Sequence, residues 1–131
     1  MPISTDKRPQ NATIIFTVID PLTIPDDQIQ QLQETVQFKQ AVGKHIYRIM
    51  DFSTAQIDFG MLVAGMANER GVPGGSNDPE VTTYFVGSDS MVQLGVKALQ
   101  DYEHLYGKTD VRLATSVDEA LADIQARPHS A

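Results

Sequence analysis

The polar turn Asp51-Phe52-Ser53-Thr54 separates an apolar run, His45–Met50, from a second apolar segment that begins Ile57-Asp58-Phe59-Gly60. A carboxylate and two hydroxyls between a strand and a helix start occupy the part of an α/β domain where ligands are usually held. Three other apolar runs end in comparable polar turns: at Asp20-Pro21, at Gly87-Ser88-Asp89-Ser90 and at Thr115-Ser116. Helix N-termini gathered on one rim bind anions through free backbone N–H groups. Ser, Thr and Asp are also the ordinary N-cap residues, so each turn reads equally as a helix start without a ligand.

Catalytic groupings are hard to assemble. Asp20, Asp51 and Asp89 evoke the acidic Mg²⁺ pocket of a phospho-accepting receiver, but no suitable Lys follows the third or fourth strand to hold a phosphoryl group. His45, His104 and His129 are far apart and in no ligand spacing. No Ser stands in the Gly-x-Ser-x-Gly setting of a nucleophile elbow. The loop Val72-Pro73-Gly74-Gly75-Ser76 lacks the Lys of a phosphate-binding loop and precedes a strand, and Asn77-Asp78-Pro79 closes it as a turn. The absence of cysteine removes disulfides, thiolate metal sites and Cys nucleophiles. No catalytic residue, metal or cofactor is expected.

A chain of 131 residues fits one domain, large enough to bury roughly 70% of its unfolded surface. Its net charge of −7, with ten scattered basic residues, argues against nucleic acid, which needs clustered Lys and Arg. No apolar run is long enough to span a membrane. The N-terminal stretch has no apolar core before a cleavage site, so no signal peptide is read there and a cytoplasmic location is expected. The sequon Asn11-Ala12-Thr13 then reads as chance.

Residues 1–10 are polar, carry two prolines and read as a loose arm. The β-branched run Ala12–Ile19 predicts a strand covered on both faces. Thr23-Ile24-Pro25-Asp26-Asp27 starts a helix, which Ile29, Leu32 and Val36 carry to about Val42, with Gly43 as a left-handed stop. His45–Met50 is the next strand and Thr54 to about Arg70 the next helix, apolar on most sides; Gly60 and Gly65 allow it close to the sheet. The loop 71–80 leads to a strand over Val81–Val86. Apolar positions from Met91 to Leu105 predict a helix ended by Gly107. Val111–Thr115 is a short strand, and Ser116-Val117-Asp118-Glu119 is a capping box that opens the last helix.

The expected fold is therefore α/β: four β-α units forming a mainly parallel four-stranded sheet with packed helices. One domain spans 11–127, flanked by the arm and a tail over 128–131. Edges of so small a sheet make a homodimer plausible. Phe59, Met61 and Met66 read as core, or as a docking face if one side of their helix stays exposed.

The order of elements from Ile46 to Ala126 resembles the STAS domain, the SpoIIAA-like fold of anti-sigma-factor antagonists and of the cytoplasmic tails of sulfate transporters. The residues that carry the resemblance are Asp51-Phe52-Ser53, Ile57-Asp58 with Gly60-Met61, Tyr84-Phe85-Val86-Gly87 and the closing Ala114-Thr115-Ser116-Val117-Asp118-Glu119-Ala120-Leu121. The added helix between the first two strands is more similar to STAS/SEC14-like proteins. The resemblance implies a non-enzymatic regulatory domain that docks on a protein partner such as an anti-sigma-type kinase, through a rim of Asp51, Ser53, Thr54, Asp58, Phe59 and Ser88. The antagonists carry a phosphorylatable Ser just after the Ile-Asp pair. Phe59 stands there instead, and a phenyl ring accepts no phosphate, which puts the charge switch in doubt. The SEC14-like side of the resemblance implies a second reading, a small ligand (lipid or nucleotide) held between helices by Met and aromatic side chains.

Overall fold

The structure, a computed structural model, describes residues 3–19, 26–87 and 90–127, except the side chains of Phe59 and Tyr106. The residues expected to open the first helix (Thr23 to Pro25), Asp20, Ser88, Asp89 and the tail 128–131 lie outside the described residues.

Five strands form one mixed sheet in the order β1-β2-β3-β4-β5. They are β1 (Ile3–Arg8), β2 (Thr13–Val18), β3 (Ile46–Asp51), β4 (Val81–Val86) and β5 (Val111–Ala114). Strands β2 to β5 run parallel, as their β-branched, apolar composition predicts. The sheet is not four-stranded, because the segment read as a loose arm forms β1. It pairs antiparallel with β2 from Ile3↔Val18 to Arg8↔Thr13. Ser4, Asp6 and Lys7 stay exposed there, and their polarity protects a free edge from pairing with other chains. The reversal runs through a 3-10 turn, Pro9–Asn11, and Ala12, whose φ of 52° is left-handed.

Helices α1 (Asp26–Val42), α2 (Phe59–Glu69) and α3 (Ser90–Asp101) cover one face; α5 (Val117–Ala126) covers the other. The helix expected to run on to Gly107 breaks at Tyr102, leaving a single turn α4 (Glu103–Tyr106), with Tyr102 and Leu105 exposed. Gly43 ends α1 at φ 74°, as expected. The α2 helix starts at Phe59 and not at Thr54, because residues 52–55 first close a turn (Ala55 N to Phe52 O, 3.1 Å) and Asp58 is the cap. Ser116 caps α5 by accepting from Glu119 N at 3.0 Å. The Glu119 carboxylate turns back to Thr115 N and Oγ1 instead of completing the reciprocal box.

The inward stripe of α1 departs from the apolar positions expected of it. Ile29 is 48% exposed, whereas Gln28, Gln31 and Thr35 are buried beside Leu32 and Phe38. The reason lies in the strand below. Arg48 occupies the centre of β3, on the face shared with Ile46 and Met50, and is 0% exposed. A buried guanidinium requires a charged partner and further acceptors.

The loop 70–80 supplies part of that environment and is tightly tied. Asp78 accepts from Lys39 Nζ (2.7 Å), Gly74 N (2.8 Å) and Glu80 N (2.9 Å). Asn77 accepts from Gly71 N at 2.8 Å and donates to Lys108 O at 2.9 Å. At Gly75 an added Cβ would stand 2.7 Å from the Glu69 carbonyl oxygen, so only glycine fits without a backbone shift.

Candidate functional site

Between α2, α3 and the sheet lies a cavity of about 90 Å³. Met61, Leu62, Gly65 and Met66 of α2 form one wall, and Val92, Gly95, Val96 and Leu99 of α3 the other. Val18, Met50 and Phe85 of the sheet make its floor, with Phe52 and Ile57 at the connection into α2. Phe52 stacks on Phe85 at 6.1 Å between centroids and 13° between planes. The two helices meet where Gly95 faces Leu62: a Cβ there would lie 2.5 Å from Leu62 Cδ1. This close approach holds the helices together at one level while Met and Val side chains leave space elsewhere.

One end of the cavity is polar. Glu69, Ser76, Gln28 and Gln31 belong to its wall, and Arg48 lies against the first two. Arg48 Nη2 donates to Glu69 Oε1 at 2.8 Å and Nε donates to Thr83 Oγ1 at 3.1 Å. Ser76 donates to Glu69 Oε1 through both its N–H (3.0 Å) and its hydroxyl (2.8 Å), and Gln28 Nε2 donates to Glu69 Oε2 at 3.3 Å. Burial pushes the Glu69 carboxyl upward, but the Arg48 charge and these donors together hold it below its ordinary range. Burial likewise raises the Asp78 carboxyl, and Lys39 with two backbone N–H groups brings it net downward. Both groups bind a proton less readily folded than unfolded. Their stabilisation is therefore complete above the unfolded carboxylate range of about pH 4, and is lost as pH falls through the lower folded values. Urea midpoints measured from pH 7 to pH 3 should hold until about pH 4.5 and then decline; a flat profile down to pH 3 would contradict the two assignments.

Of the rim residues expected to act, Asp51, Ser53, Thr54 and Asp58 lie outside this cavity. Asp51 Oδ1 accepts from Ser53 N at 2.9 Å, closing the turn after β3. Asp58 Oδ1 accepts from Met61 N at 2.8 Å as the α2 cap. Ser53, Thr54 and Asp58 are exposed on one connection, so the fold brings these residues together locally. Phe59 begins α2, with its side chain outside the description, and Ser88 lies outside the described residues.

Two further polar clusters tie elements of the fold together. His45 Nε2 meets Thr82 Oγ1 at 2.8 Å, and that hydroxyl donates to Asp110 Oδ2 at 2.6 Å. The hydroxyl proton is thus given to the carboxylate and not to the imidazole, and Thr82 is fully buried, so nothing can be attacked by it. On the α5 face, Tyr84 donates to Asp123 and accepts from Arg127 Nε at 2.9 Å. Burial and the Asp123 hydrogen bond push the Tyr84 hydroxyl up to about 12, so it stays protonated and latches α5 to the sheet. Among the described residues no three His, Asp or Glu gather as metal ligands, and no helix is long and apolar enough to cross a membrane.

The Arg48–Glu69 cluster and the cavity were missed by the rim reading. One signal for the first was in the sequence: an Arg flanked by Tyr47 and Ile49 inside a strand whose neighbours two residues away are also apolar. The chain matches no family model, no curated protein and no solved structure.

Proposed function

We propose that this protein is a non-enzymatic binding module that holds a small, mostly apolar ligand between α2, α3 and the sheet. The observation that carries this reading is the cavity itself, walled by Met, Leu and Val and ending in a buried polar cluster. Native interiors pack densely, and few voids exceed a water molecule. An apolar cavity of 90 Å³ has the space of roughly three waters, yet its walls offer water few partners. Whole lipids and nucleotides need several hundred Å³, on the order of 300 or more, so the size favours molecules of a few carbon atoms. The Glu69 carboxylate at one end is already engaged by Arg48, Ser76 and Gln28, an arrangement that fits binding without chemistry.

A panel of small hydrocarbons and alcohols should raise the thermal midpoint in proportion to the logarithm of concentration, by about 2.7 kcal/mol of stabilisation at a hundredfold excess over Kd. No shift with any member of the panel would count against the reading.

A second reading, in which a STAS-like domain docks on a regulatory protein, draws support from the outer faces of the same helices. Val63 on α2 and Leu94 on α3 are 42% and 44% exposed. Its test is Phe59→Asp at the start of α2. That change should abolish capture of a protein partner if the docking face includes this turn, and leave small-ligand binding intact.

A further inference from the structure

Gly95 stands in the middle of α3, where glycine weakens a helix relative to alanine. Its φ is not among the positive ones, so the backbone itself does not require glycine there. Gly95 is part of the cavity wall, and so is Leu62 of α2 opposite it. A Cβ at position 95 would lie 2.5 Å from Leu62 Cδ1, 3.6 Å from Cγ and 3.8 Å from Cδ2. The branched end of Leu62 therefore rests in the notch that the missing side chain leaves. The three nearest atoms such a Cβ would meet all belong to that one flexible side chain and none to the backbone of α2.

Two destabilising features thus meet at one place, a helix-weakening residue and an unfilled space. One methyl group at position 95 would remove both. It would press Leu62 Cδ1 out of the notch, and a return to ordinary contact takes the torsion off its staggered well, so the end of the side chain changes rotamer. Turned outward, the half-buried Leu62 would give up apolar burial. Turned inward, it enters space lined by Met61, Met66 and Val92, and regains contacts that a void denies them. The inward rotamer is the more stable one.

We infer that Gly95 is the specificity-determining residue of this cavity. It parks Leu62 against α3, keeps the space open and sets the largest guest the space admits. This assignment rests on the cavity reading above. Helix packing alone leaves the glycine unexplained, because alanine with a turned Leu62 would hold the two helices together and favour the helical backbone. Packing and specificity therefore predict opposite signs for the same substitution.

The test compares the unaltered full chain, Gly95→Ala, and Gly95→Ala combined with Leu62→Ala. Each is titrated with pentane and with xenon against the methyl signals of Met50, Met61 and Met66, which line the cavity. The thermal midpoint of each is measured without a guest. Gly95→Ala is expected to melt about 2–4 °C higher than the unaltered chain. It should bind pentane at least about tenfold more weakly, because the Leu62 side chain now occupies the volume of the guest. Xenon, the smaller guest, should lose less, so the ratio of the two affinities changes. The double variant should recover the pentane affinity, since the shortened side chain at position 62 no longer reaches the space. A lower thermal midpoint in Gly95→Ala, failure of that variant to fold, unchanged pentane affinity, or equal losses for pentane and xenon each overturn the assignment. So does a folded double variant that does not recover pentane. If the double variant does not fold, the signs in Gly95→Ala still decide. An unaltered chain that responds to neither guest overturns the cavity reading as well.

Discussion

Replacing Glu69 by Ala should destabilise the protein by about 3–5 kcal/mol, the cost of leaving a buried charge without its partner. Among the described residues Arg48 would keep only Thr83 and Ser76 as acceptors, and both are neutral. Ser76 and Gln28 would lose the carboxylate they donate to as well. The loss belongs to the unmatched charge more than to the pair, so adding Arg48→Met to the Glu69→Ala background should restore much of the stability. Urea unfolding of the two single variants and the double variant would show this as a large, favourable coupling. Additive losses would mean that Arg48 and Glu69 do not act as a unit. The cluster also sets one end of the cavity, so Glu69→Ala should weaken ligand binding even where the chain remains folded.

Filling the cavity should have the opposite pair of effects. Val92→Leu with Val96→Leu adds two methylenes to the α3 wall, and each buried methylene contributes up to about 0.8 kcal/mol where space exists. Stability is expected to stay level or rise by roughly 1 kcal/mol after packing strain is included. Affinity for butanol or pentane should fall at least about tenfold, because the added carbons occupy the ligand's volume. Calorimetry of unfolding and a ligand titration on the same sample test both signs together. A variant that loses stability and keeps affinity would show that these valines face packed core and not free space.

The sequence displayed much of this architecture, for reasons that can be named. Strands β2, β3 and β4 are mostly apolar and β-branched, Arg48 being the charged exception, a pattern that burial on two faces requires. Gly43 and Ser116 marked helix ends because the left-handed and N-cap positions admit few residue types. Strand β1 escaped because an edge strand need bury only one side: Ile3 packs against the core, while Ser4, Asp6 and Lys7 face solvent. The inward glutamines of α1 escaped for a related reason. Their burial is dictated by Arg48 across the interface, and no periodicity within α1 records what lies beneath it.

The cavity was illegible for a different physical reason. Met61, Leu62 and Met66 have the same types and spacing whether the space they face is filled or hollow. Volume is set by how closely two helices approach, here by Gly95 against Leu62, a tertiary fact. The rim residues Asp51 and Asp58 were legible as polar side chains at a strand end and a helix start. Their hydrogen bonds to Ser53 N and Met61 N give them the structural work that such positions ordinarily have.

The central claim, that an apolar space between α2 and α3 admits a small guest, meets its most direct test in the methionine methyl spectrum under xenon. Xenon enters empty apolar cavities and makes no hydrogen bonds, so it probes the space independently of the polar end. Three of the five methionines line the cavity. The methyl signals of Met50, Met61 and Met66 should move in a saturable way with gas pressure, while that of Met91, which is not part of the wall, stays in place. If the three cavity methyls show no saturable shift, or shift no more than Met91, the space does not accept a guest and the binding function proposed for it is wrong.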